Sequence, residues 1–235
     1  MQIGFVLYPD VTALDAVGPY EVLSRIPGVH AVFVGQARGP VTAQHGLTLG
    51  VQLTFGEAPA LDVLCVPGGP GQTQCMENQE LLAFLRRQAE TARWMTAVCT
   101  GSLILGAAGL LQGYRATSHW RYVECLAELG AIPVSKRIVA DQNRVTAAGV
   151  SAGIDLGLFL AGLLAGERVA QTIQLQMEYD PQPPFRCGSP ELADPDLVES
   201  LITGSQRLFG ERCEQVRRIG AALRAESAGS LGTAP

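Results

Sequence analysis

The sequence lacks the features that mark several large classes of protein. No apolar run approaches the ~18 residues a membrane span needs. The longest, around residues 153–166, is broken by glycines and by Asp155. The opening MQIGFVLYPD has no cationic segment and Asp10 closes its apolar run early, so a strand is expected there and not a secretory leader. Positive charge is scarce. Lys and Arg number 17 against 22 Asp and Glu, the net charge is −5, and no basic cluster exceeds a pair. That leaves no electrostatic footprint for nucleic acid. Neither G-x-G-x-x-G nor the P-loop pattern occurs, and no internal repeat or low-complexity linker is visible. Cysteines stand at 65, 75, 99, 125, 187 and 213 without a C-x-x-C pair, and with histidines only at 30, 45 and 119 no zinc spacing emerges. An even count permits disulfides. The missing leader and the buried-strand settings of Cys65 and Cys99 favour reduced thiols and a cytoplasmic protein.

What is present is material for one sizeable core: 235 residues, 47% apolar and 17% charged. The patterning predicts strands over 2–8, 30–36, 61–67, 94–98 and 115–119, with paired edge strands inside 41–55 and a hairpin joining 138–139 to 144–146. Helices are expected over 12–26, 77–91, 103–111, 122–129, 151–165 and 196–224, with Asp10 or Thr12 capping the first. Residues 180–196 read as irregular, and a small-residue tail of low order closes the chain. Strands alternating with helices imply a mainly parallel sheet covered on both faces. Ligands of such sheets bind beyond the carboxyl ends of the strands, where 8–10, 67–71 and 99–100 would meet.

One stretch organises the rest: residues 94–111, WMTAVCTGSLILGAAGLL. A buried strand turns into a helix at Cys99, followed by Thr100, Gly101 and Ser102. A cysteine at a helix start faces unpaired N–H groups and should ionise more readily than a free thiol. It is therefore a candidate nucleophile, with a buried structural cysteine as the alternative. Asp15, flanked by Leu14, Ala16 and Val17, is a candidate general acid whose pKa burial would raise; a solvent-facing or capping Asp is the other reading. Pro19 in the same helix implies a kink or a new start. Gly68 and Gly69 offer N–H groups to an anionic intermediate, or simply form a tight turn. His119 either orients Cys99 or sits hydrogen-bonded in the core. Trp120 and Tyr179 are candidate pocket residues, although aromatics are more often core.

Together these segments resemble the ThiJ/PfpI superfamily, related to the class I glutamine amidotransferase fold. The resemblance rests on LDAVGPYEVL at 14–23, VPGGPG at 66–71, AVCTGSLILGAAGLLQG at 97–113, RATSHW at 115–120, AAGVSAGIDLGL at 147–158 and QLQMEYDPQPPF at 174–185. It covers roughly residues 1–190, leaving 191–235 as a helical extension packed on the same domain or on a dimer partner. Within the superfamily the isocyanide hydratase branch is the most similar. The resemblance implies a three-layer flavodoxin-like sandwich with a nucleophile elbow. It also implies a Cys99 nucleophile beside Asp15 and Thr100, and an anion site at the N–H groups of Gly69 and Thr100. Hydration of a small-molecule isocyanide in a homodimer, with no metal or organic cofactor, is the implied activity. Two departures stand out. Thr100, not His, follows the cysteine, so the Cys-His pairing of the protease-like branch is absent. Ala147 and Ala148 stand where the hydratase pattern has glycines, which bears on the packing or mobility of the following helix. The alternatives are a ligand-sensing AraC-like domain without its DNA-binding part, a glyoxalase-like enzyme, and a redox-stress protein. A Glu is typical of the glyoxalase-like branch where Asp15 stands, and the segment after Pro195 is too short for two helix-turn-helix units.

Overall fold

The computed structural model describes residues 1–231, with side chains through Glu226. Eleven strands occur among them: β1 (Gln2–Val6), β2 (His30–Gly35), β3 (Gly39–Thr42), β4 (Thr48–Val51), β5 (Leu53–Thr54), β6 (Val63–Val66), β7 (Trp94–Val98), β8 (Arg115–Ala116), β9 (Ile132–Pro133), β10 (Ile138–Asp141) and β11 (Arg144–Ala147). Seven form one sheet in the order β10-β11-β7-β6-β1-β2-β5. Every pairing in it is parallel except β10 with β11, the expected hairpin. The central strands β6 and β7 are almost wholly buried, which is why they read as continuous apolar runs without alternation. β3 and β4 pair antiparallel, with Thr42 opposite Thr48, as the 41–55 pattern predicts.

The helices are α1 (Ala13–Leu23), α2 (Gln72–Cys75), α3 (Gln79–Ala89), α4 (Gly101–Ala107), α5 (Ala152–Ala165), α6 (Glu167–Gln176) and α7 (Pro195–Leu231). They cover the sheet on both faces. One core joins Leu81 and Leu85 of α3, Leu103 of α4 and Val216 of α7. The other joins Ile3 and Phe5 of β1, Val22 of α1, Leu156 of α5 and Ile173 of α6. The three-layer α/β sandwich with a mainly parallel sheet is therefore the fold.

Several local expectations change. The strand expected over 115–119 is only β8, because Thr117 and Ser118 turn inward to bond neighbouring elements. Residues Val123–Leu129 form a 3-10 helix. α1 runs unbroken through Pro19, and Thr12 at its start gives its hydroxyl to Gln44 Oε1 instead of capping. α6 is a further helix, separated from α5 by Gly166 at φ +90°. α7 continues past 224 to Leu231, and the rest of the expected tail lies outside the described residues. That helix packs on its own chain: Gln215 Nε2 donates to Thr73 O at 2.9 Å and Arg224 to Glu128 O at 2.8 Å. The Cys213 and Cys125 sulfurs meet at 2.8 Å as free thiols.

Candidate active site

β1, β6 and β7 lie side by side, so their carboxyl ends open onto one spot. β7 ends at Val98, and Cys99 turns the chain into α4 with φ +56°. A left-handed backbone at a residue with a Cβ costs on the order of 1 kcal/mol or more, so the surroundings must hold it. Its N–H lies on the carbonyls of Ala147 and Ala148 at 3.0 and 2.9 Å. Its own carbonyl accepts the hydroxyls of Ser102 and Ser118 at 3.1 and 3.0 Å. Ser102 and Ser118 carry no pattern that marks them for this task in the sequence. Only the juxtaposition of α4 with the segment after β8 reveals it.

The first turn of α1 delivers Asp15, which is 1% exposed. Its Oδ2 accepts the Gly68 N–H at 2.9 Å, and its Oδ1 has no hydrogen-bond partner among the described residues. Burial pushes this carboxyl up to about 7, against the pull of the Gly68 N–H and of the Cys99 side chain, which acts from outside hydrogen-bonding geometry.

Cys99 is 5% exposed. Burial drives its thiol well above the usual range, and the neighbouring Asp15 charge drives it further. The Thr100 and Val150 N–H groups and the Thr100 hydroxyl pull the other way without prevailing. The expectation of a readily ionised sulfur is thereby corrected. α4 has only seven residues, and its start does not outweigh desolvation beside a carboxylate. The sulfur rests protonated, next to a base of nearly neutral pKa.

Thr100 Oγ1 accepts the Gly69 N–H at 3.1 Å, which leaves the hydroxyl proton free to face the sulfur. Gly69, expected to aim its N–H at an anion, has that N–H committed here, and the Gly68 N–H is committed to Asp15. Their lack of a side chain is what the site needs. A Cβ on Gly68 would stand 2.5 Å from Thr100 N and 3.0 Å from Asp15 Oδ2, and Gly69 adopts φ +132°. Tyr8 completes the floor by donating to Pro67 O at 2.7 Å.

His119 does not orient Cys99. Its Nδ1 accepts the Arg121 N–H at 3.2 Å, and no hydrogen bond among the described residues joins it to the sulfur. Burial, with a smaller contribution from Arg212, lowers its pKa. With Trp120 it lines a cavity of about 640 Å³ whose wall also includes Leu14, Ser118, Ala148 and Val150. Leu14 adjoins Asp15, Ser118 and Ala148 bond the Cys99 backbone and the Val150 N–H acts on its thiol, so the cavity adjoins the elbow, with Cys99 and Asp15 behind its wall. Tyr179 is not at this cavity; its hydroxyl donates to Asp155 Oδ1 at 2.9 Å. No cluster of metal-ligating side chains occurs among the described residues.

A cysteine held left-handed at a strand-to-helix elbow, beside a buried carboxylate on a mostly parallel sheet, defines the class. Residues 1–162 match the model of the DJ-1/PfpI family, and the chain belongs to that family. Over 223 residues it is 49% identical to the isonitrile hydratase of Pseudomonas putida, spanning 95% of this chain and 98% of that one. The crystal structure of a ThiJ/PfpI family protein from Pseudomonas syringae superposes with a TM-score of 0.88 at 41% identity, covering 93% of this chain and 90% of the other. The HTH-type transcriptional regulator GbdR of Pseudomonas aeruginosa is 33% identical over 192 residues, which are 76% of this chain but 51% of the regulator.

Proposed function

We propose that the protein is an isocyanide hydratase, converting R–N≡C and water to R–NH–CHO through a covalent Cys99 intermediate. The observation that carries this reading is the pairing of a protonated, strained Cys99 with the buried Asp15 carboxyl. The near-full-length likeness to an isonitrile hydratase supports it. The Cys99 sulfur bonds to the terminal carbon of the isocyanide as Asp15 takes the thiol proton. Asp15 then gives that proton to the same carbon, leaving the thioimidate R–N=CH–S. Asp15, again a carboxylate, draws a proton from water as the water oxygen adds to the carbon, and passes that proton to the nitrogen. Collapse of the resulting R–NH–CH(OH)–S adduct forms the carbonyl and expels the sulfur, Asp15 carrying the hydroxyl proton to it, and releases the formamide. Thr100 steadies the sulfur whenever it carries charge. Asp15 carries each proton in turn, and no side chain beyond Cys99, Asp15 and Thr100 is required.

The regulator reading is weaker, since the match leaves about half of GbdR outside it and α7 is a single helix. Residues 1–190 form the catalytic domain in this reading, with 191–235 as an extension whose described helix α7 packs against it. A homodimer is supported by exposed Phe159 and Leu163 on α5 and Leu175 on α6, apolar residues that a second copy would cover, and the net charge of −5 argues against a nucleic-acid partner. A cytoplasmic setting fits the six free cysteines. Among the described residues no helix is long and apolar enough to cross a membrane.

The test is intact mass under single turnover with phenyl isocyanide, read beside formanilide production. A substrate-sized adduct on Cys99 and loss of turnover by at least about a thousandfold in Cys99→Ala are expected. Full activity in that variant would end the reading. Methylglyoxal loss in place of formamide production would move the protein to the glyoxalase-like branch, and stable Cys99 oxidation without turnover would make it a redox-stress protein.

A further inference from the structure

α7 is held to the rest of the chain by a narrow stripe, along which only Cys213, Gln215, Val216 and Gly220 are buried among the described side chains. Of its ion pairs to other elements, Arg218 with Glu77 is more than half exposed on both sides and Arg217 with Glu128 spans 3.9 Å. Pairs of that kind add little. At the centre of the stripe Cys213 meets Cys125 of the 3-10 segment, with the sulfurs in hydrogen-bond contact at 2.8 Å and 88 residues apart in sequence. Both are free thiols, and both are buried. No other two cysteine sulfurs come within hydrogen-bond reach among the described residues. Cys65 takes its bond from Thr96, Cys99 lies beside Asp15, and Cys187 is exposed. The hydration chemistry uses neither Cys125 nor Cys213.

We infer that Cys125 and Cys213 form a site of reversible oxidation by peroxide, closing to a disulfide that clasps α7 onto the 3-10 segment. The site is independent of the hydratase reading. One sulfur, as thiolate, attacks the peroxide O–O bond and becomes a sulfenic acid, and a water leaves. The second sulfur attacks the first, forms the S–S bond and expels the hydroxyl as another water. Two thiols thus give up two electrons and two protons, and one hydrogen peroxide becomes two waters. A cysteine without a thiol neighbour lacks that exit, and stays a sulfenic acid or passes on to sulfinic acid. Burial and the adjoining Cys213 thiol push Cys125 up to about 12, against Arg217 and Arg121, so closure is slow and needs peroxide in excess. The pair is selected by proximity. A link across 88 residues also removes more freedom from the unfolded chain than a short loop would.

The experiment treats the full chain with excess hydrogen peroxide, in a Cys99→Ala background that removes the sulfur of the elbow. Quenching, alkylation under denaturing conditions and non-reducing peptide mapping follow, with the exposed Cys187 as the internal measure of oxidation. The Cys125 and Cys213 peptides should appear linked, the monomer should be lighter by two hydrogens at that pair, and dithiothreitol should restore both thiols. The linked form should melt about 5 °C or more above the reduced one, with slower hydrogen exchange through 213–224. Cys213→Ser and Cys125→Ala should each abolish the link and the shift in melting. The map of the unsubstituted pair decides the matter even where either variant disturbs packing. If both thiols remain open to alkylation after Cys187 is oxidised, if either joins a different cysteine or a second copy, or if the linked form melts no higher than the reduced one, the clasp is overturned. None of these outcomes touches the hydratase reading, which stands or falls on isocyanide turnover.

Discussion

The proton shared between Cys99 and Asp15 sets the behaviour of the site at the level of single residues. With the carboxyl titrating at about 7 and the thiol far higher, the form that can react is carboxylate beside thiol. A pH–rate profile of kcat/KM should therefore rise through pH 7 and stay level into alkaline conditions. The same shift has a sign for stability. Asp15 holds its proton more tightly folded than unfolded, so its contribution is full below about pH 4 and is lost as pH rises through 7. Unfolding titrations should show the native protein losing on the order of 4 kcal/mol relative to Asp15→Asn across that window. Thr100→Val would leave the Gly69 N–H buried without its acceptor. Denaturant unfolding should show a loss of about 1–3 kcal/mol, with kcat reduced more than KM and Thr100→Ser restoring both. Cys99 and Asp15 were legible because a polar residue in an apolar run stands out. The +56° turn at Cys99 was not, since it is enforced by Ser102, Ser118 and two carbonyls from distant segments. For the same reason the direction of the thiol shift could not be read locally: a cysteine at a helix start gives one sign, and a buried carboxylate beside it gives the other.

At the level of elements, the position of Asp15 depends on how closely α1 approaches α5. Pro19 lies over Gly153 and Val22 over Gly157, where added Cβ atoms would stand 3.0 Å from Pro19 Cδ and 2.8 Å from Val22 Cβ. Gly157→Ala must push the two helices apart, because Val22 is branched at the contact atom. A thermal unfolding scan should show a loss of about 1–3 kcal/mol, accompanied by reduced turnover as Asp15 moves with its helix. The periodicity of 151–165 announced α5, and the buried runs announced β1, β6 and β7. The segment at 167–176 did not announce α6, because its Val, Thr and Ile favour strand as readily as helix, and its amphipathic face buries only Ile173 fully, with Val169 and Ala170 half-buried against the core. The short β8 follows from hydrogen bonds to Thr146 of β11 and to the Cys99 carbonyl that the local sequence does not encode.

Across the whole molecule, α7 ties the end of the chain to the far layer. Gly220 allows that contact: a Cβ there would stand 1.9 Å from Glu128 O. Gly220→Ala should lift the helix from the 3-10 segment, and hydrogen exchange should speed up through 213–224 and 123–129 while the sheet stays protected. The sandwich itself was readable from the order of strands and helices, since parallel connections leave few topologies open. The closure of one cavity by segments near 117, 136, 149 and 189 was not, as those stretches are irregular and meet only in three dimensions. The scarcity of lysine in this chain has a practical side. An amine-reactive dye has one side chain to label, Lys136 on the cavity wall, besides the terminal amine of Met1, which already donates to Gly28 O. A fluorophore placed on Lys136 would sit at the wall of the chamber and report the arrival and departure of a guest by its change in emission.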